Sequence, residues 1–181
     1  MLKWLWLSAL VVLLDQLSKT LASRWLELYQ SVEFIPLLQF TLLHNKGAAF
    51  SFLSSAGGWQ RWVFSLLALI VSGIIVAWLR RLPAQERLQA AGLALILGGA
   101  LGNVIDRILL GYVVDFLDFY YPAQQCLPLF SKVMTPVSQC HWPAFNIADS
   151  AIFIGVTLLI IDSIRSSLKR RASATQGEDR E

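Results

Sequence analysis

The sequence predicts an all-α membrane protein, four transmembrane helices with a small β-cradle or hairpin on the outer membrane surface. Three observations carry that reading. Hydrophobic residues make up 56% of the 181-residue chain and charged residues only 15%, too little polar surface to cover a soluble domain of this size. Four apolar stretches, residues 2–21, 62–79, 88–110 and 147–168, are 18 to 23 residues long. At ~1.5 Å per residue they reach ~27–34 Å, about the hydrocarbon thickness. The Lys and Arg residues flank these stretches instead of forming one patch, so the net charge of +3 reads as a topology signal and not as a nucleic-acid footprint.

The first stretch mimics a cleaved signal peptide, with Lys3 ahead of it and a small "LAS" near residue 22. Asp15 and Lys19 interrupt its core, and the other three spans need a partner to set orientation, so it reads as a retained helix. Lys3, then Arg80, Arg81 and Arg87, then Arg165, Lys169, Arg170 and Arg171 form an inside-facing set. Both termini are therefore expected in the cytoplasm and the two longer loops outside. Residues 1–168 make the transmembrane domain. The tail 169–181, containing "RRASATQGEDRE", reads as disordered.

The outer segment of about 24–61 has two β-prone runs around "HNKG", a polar glycine-containing turn, and is expected to form a hairpin on the membrane surface. In the third span, Gly98 and Gly102 are a small-xxx-small pair that admits a close helix neighbour. Asn103 and Arg107 share a face at i,i+4. Asp115 leaves the third span and Asp149 enters the fourth, with only an outer loop of about 116–144 between them. Both acids thus lie at the same outer boundary, at the level of Asp15, Lys19, Asn45, Asn103 and Arg107. Ionisable groups at membrane depth are costly and are usually functional.

Plainer roles exist for several of these residues. Asn146 and Asp149 have the spacing of a helix cap. Asp15 and Lys19, at i,i+4, can neutralise each other. Asp118 and the nearby tyrosines suit an interfacial belt, and His44 and His141 read as loop residues rather than ligands. Cys126 and Cys140 lack metal-ligand spacing, and pairing them as a disulfide is left open.

The chain has no G-x-S-x-G elbow, no H-E-x-x-H helix and no phosphate-cradling glycine loop. What remains is a pair of aspartates in a partly dehydrated place. Two such carboxylates share a proton, and the ionised one can activate water while the protonated one polarises a peptide carbonyl. That chemistry calls for no metal or other cofactor. Asp149, at a helix start, favours the negative charge, and Asp115, past a helix end among apolar neighbours, favours the proton. Arg107, if it reaches Asp115, opposes that assignment.

Five blocks, "DQLSK" (15–19), "NKGAAFS" (45–51), "GNVIDR" (102–107), "VVDF" (113–116) and "FNIADS" (145–150), resemble in order those of the lipoprotein signal peptidases, or signal peptidase II. The resemblance implies a four-helix peptidase domain over residues 1–168 with an outer β-cradle. It implies catalytic Asp115 and Asp149, with Asn45, Asn103, Arg107 and Asn146 binding the substrate backbone. Asp15, Lys19, Gly47 and Gly102 would be supporting residues. The implied partners are diacylglyceryl-modified prolipoproteins, membrane lipids and the inhibitor globomycin, with no nucleic acid, and the implied location is the bacterial inner membrane. The stretch from Phe116 to Ala144 is longer than that pattern leads one to expect.

Two rivals are weighed. A proton pathway needs polar groups at several depths, whereas this chain gathers them at one face. A non-catalytic scaffold would use the glycine face but leaves Asp115 and Asp149 unexplained.

Overall fold

The computed structural model describes residues 1–47, 57–134 and 138–178. A 3-10 turn, Leu2–Trp4, leads into helix α1 (Leu5–Trp25), followed by α2 (Gln60–Arg81), α3 (Arg87–Leu109) and α4 (Ile147–Glu178). All four are long and apolar enough to cross a membrane. Their outer faces carry exposed Leu13, Leu17, Leu66, Ile70, Phe153 and Ile160, a surface suited to lipid and not to water.

Helix α3 is the centre. Its apolar window is 56% buried, against 17–22% for the other three. Small residues let the neighbours close in: a Cβ on Gly98 would meet Val11 Cβ at 2.7 Å and the Ser8 carbonyl oxygen at 2.8 Å. The Ser8 hydroxyl donates to the Ala94 carbonyl at 2.7 Å, satisfying a polar group within the contact. Toward α2, Leu93 and Leu97 pack with Ile75 and Leu79. Helix α3 ends where Gly111 takes φ 85 and its amide returns to the Asp106 carbonyl, a left-handed stop that favours glycine.

A five-stranded antiparallel sheet sits at that end of the bundle. Its strands are β1 (Ser31–Ile35), β2 (Leu38–Asn45), β3 (Val113–Pro122), β4 (Ser131–Met134) and β5 (Ser138–His141), in the order β1-β2-β3-β5-β4. Leu42, Val114 and Phe116 bury against Ala22 near the end of α1, seating the sheet on the helices. The register pairs Leu43 with Asp115 and Asn45 with Val113. That register brings an asparagine and an acid together.

Several expectations need correction. A hairpin turn falls at Pro36–Leu37, ahead of "HNKG": Ile35 pairs with Leu38, and proline pre-sets φ at such a turn. His44 and Asn45 are strand residues, and the second expected run, from residue 48 to 53, lies outside the described residues. The long stretch of 116–144 carries most of β3 together with β4 and β5. Cys126 and Cys140 form a disulfide within it. His141 is likewise a strand residue, and its Nδ1 lies 3.0 Å from Asp118. Asp118 is buried and accepts from Gln39 and Thr41, so it does not belong to an exposed belt. Helix α4 runs on to Glu178.

Candidate active site

Asp115 sits on β3, six residues past α3, and Asp149 in the first turn of α4. Asn146 joins them. Its side-chain oxygen accepts the Asp149 amide at 2.9 Å, and the Asp149 carboxylate accepts the Asn146 amide at 3.3 Å. That is a reciprocal N-cap. The same Asn146 donates Nδ2 to Asp115 Oδ1 at 2.8 Å and to Asn103 Oδ1 at 3.2 Å. The capping role therefore stands, and it does not compete with a place in the site. One fully buried asparagine serves both acids.

The remaining partners are also amides. Asn45 donates to Asp115 Oδ2 at 2.9 Å, while its oxygen accepts the Gly47 amide at 3.0 Å. This local turn fixes which way the Asn45 amide points. Asn103, from α3, donates to Asp149 Oδ1 at 2.8 Å. Asp115 is 3% exposed. Burial, reinforced by the neighbouring negative charge of Asp149, raises its carboxyl from 3.8 to about 7.

Arg107 comes close without pairing. Its guanidinium donates to the carbonyls of Asn103 and Gly47, each at 3.3 Å, and lies 5.7 Å from the centre of the Phe64 ring. Among the described residues no ion pair joins Arg107 to Asp115 or Asp149. Behind the asparagines, Lys19 contacts Asp15 at 2.8 Å and Asp106 at 3.0 Å, and donates to Asn103 at 3.0 Å. Gly102 lies against Asp15. All ten residues singled out from the sequence thus fall in one connected region. Asp106 and Gln16, which also belong to it, were missed. Asp106 is four residues beyond Gly102 and so shares its α1-facing side, the signal that marks it.

This arrangement defines a class: a multi-span membrane protein with a buried pair of acids held by neutral amides at one end of its bundle. Residues 7–165 match the family model described as signal peptidase (SPase) II. The chain is 50% identical over 169 residues to the lipoprotein signal peptidase of Alteromonas mediterranea, covering 93% of this chain and 84% of that protein. It is 46% identical over 177 residues to that of Pseudomonas aeruginosa, covering 97% and 95%. It also resembles a bacterial membrane enzyme solved by the in meso method at 2.3 Å resolution, with a TM-score of 0.74 and 29% identity over 92% of this chain and 90% of that one. The chain belongs to the signal peptidase II family.

Proposed function

We propose that the chain is an aspartic endopeptidase that removes signal peptides from diacylglyceryl-modified prolipoproteins, cutting on the N-terminal side of the lipidated cysteine. The observation that carries this reading is the bonding of Asp115 and Asp149. Both are tied through Asn146 and Asn103, and among the described residues every side-chain hydrogen-bond partner of either acid is a neutral amide. Such a pair can share and move a proton.

Asp115 holds the proton, in keeping with its raised carboxyl, and Asp149 is the base. Asp149 takes a proton from water as the water oxygen bonds to the scissile carbonyl carbon, and Asp115 gives its proton to the carbonyl oxygen. When the resulting diol collapses, the C–N bond breaks. The leaving nitrogen takes the proton from Asp149, and a diol hydroxyl returns one to Asp115. Asn45, Asn103, Asn146 and Arg107 hold the substrate backbone, Arg107 through its position over the Gly47 and Asn103 carbonyls.

Arg80, Arg81 and Arg87 stand at the opposite end of the bundle from the acids, which supports an inner-membrane protein with cytoplasmic termini and its sheet and site at the outer face. The peptidase domain spans residues 1–168, with a cytoplasmic extension after it. Membrane lipids surround the helices, and the substrate's own diacylglyceryl group holds its cysteine at the depth of the acids. Globomycin blocks the enzyme by occupying the same place.

The test is cleavage in proteoliposomes of one precursor with and without its diacylglyceryl group. The lipidated form should yield a product that begins at the modified cysteine. The unmodified form should be processed at least ~10²-fold more slowly, the scale on which lost positioning acts. Equal rates, or a cut elsewhere, would refute this account of substrate choice.

A further inference from the structure

The two acids reach the site on unrelated segments, one on a strand and one on a helix, and they stand 34 positions apart in the chain. Something has to set their spacing. The backbone amides immediately before them are both held by carboxylates. The Val114 amide, one residue before Asp115, donates to Asp106 Oδ2 at 3.0 Å. The Ala148 amide, one residue before Asp149, donates to Asp15 Oδ1 at 2.9 Å.

Those two carboxylates share one cation. Lys19 Nζ lies 2.8 Å from Asp15 and 3.0 Å from Asp106, and its third contact is Asn103 Oδ1 at 3.0 Å. An ammonium has three donors, and all three have acceptors here. Gln16 adds a second tie, donating to Asp106 Oδ1 at 2.9 Å and Asp15 Oδ2 at 3.2 Å. Asp15, Lys19 and Asp106 are 0%, 3% and 3% exposed, so solvent does not reach the three charged members of this cluster. A Cβ on Gly102 would meet Asp15 Oδ2 at 2.6 Å. Glycine there leaves Asp15 the room to reach Ala148.

Neutralising charge between α1 and α3 does not require these amides. A cluster serving helix packing alone has no reason to take hold of the backbone one residue before each of two acids on other elements. We infer that Asp15, Lys19 and Asp106 are positioning residues, a frame that sets the separation of Asp115 and Asp149, with Gly102 as its clearance. The inference rests on the reading of Asp115 and Asp149 as the catalytic pair.

Two readouts on the purified full chain test it. Amide hydrogen exchange at Val114 and Ala148 reports the frame without any cleavage. Steady-state cleavage of lipidated precursor, normalised to folded protein, reports its effect on the acids. Asp106→Ala should accelerate exchange at Val114 and lower kcat by about 10²-fold, as misplacement of reacting groups does, with KM changed by less than about threefold. Asp106→Asn keeps an oxygen for the Val114 amide and should recover at least about tenfold of that loss. Gly102→Ala, a small change that serves should Asp106→Ala not fold, should accelerate exchange at Ala148, leave Val114 protected and lower kcat. Unchanged exchange at these amides, or unchanged kcat per folded molecule, would overturn the frame. Failure of the catalytic-pair reading shows separately, as activity retained in Asp115→Asn or Asp149→Asn while the exchange results stand.

Discussion

Asp15 and Asp106 share a lysine; Asp115 and Asp149 share asparagines. The two pairs lie in the same end of one bundle and are joined through Asn103, which accepts from Lys19 and donates to Asp149. Their surroundings nevertheless suit opposite tasks. A carboxylate locked to a buried ammonium is fixed in charge and position, since losing either partner leaves the other uncompensated. A carboxylate held by neutral amides keeps its geometry but has no permanent counter-charge, so its proton can come and go. Burial alone therefore does not distinguish the proposed catalytic acids from Asp15 and Asp106. The partner does.

The largest effect that would break this comparison is on stability. Lys19→Met strands two buried carboxylates and should cost about 3–5 kcal/mol, read as a lowered thermal midpoint in detergent. A midpoint near that of the unaltered protein would mean that the lysine is not the counter-charge of the frame. Asn146→Ala removes the donor to Asp115 and the cap of α4 together. A kcat loss of about 10²–10³-fold is expected, as when an oriented donor is deleted from a site, and a loss below tenfold would show that Asn146 is only a cap.

The smallest effect is graded with pH. The folded protein keeps the Asp115 proton up to about 7, whereas the unfolded chain releases it near 3.8. Stability contributed by that proton is complete below about 3.8 and is lost as pH rises to about 7. The proposed cleavage uses the same proton, so kcat/KM should fall as pH rises through about 7. A rate that still climbs above that point would place the working proton elsewhere.

The helices were readable because bilayer thickness imposes a length and composition that periodicity exposes directly; α2 and α3 begin and end within two residues of the stretches marked from the sequence. Asp115 and Asp149 stood out for a related reason, as acids at the ends of those stretches. The sheet was less readable. Strands β2 and β3 pair across 72 positions at Leu43 and Asp115, and the β1–β2 hairpin turns at Pro36–Leu37, ahead of the Asn-Lys-Gly segment. Asp118 was misplaced because its partners, Gln39, Thr41 and His141, come from two other strands. No local pattern encodes such a meeting. Asp106 was passed over because it stands beside Asn103 and Arg107 on the helix but turns toward α1.

Cleavage of a lipidated precursor by Asp115→Asn and Asp149→Asn in proteoliposomes tests the central claim most directly. Asparagine keeps the size and most hydrogen bonds of each acid but cannot exchange a proton with water or substrate. Each variant should fold, insert and lose at least ~10³-fold in kcat, within the range for removing a general acid or base. If either variant cleaves at near the rate of the unaltered protein, Asp115 and Asp149 are not the pair that performs the reaction.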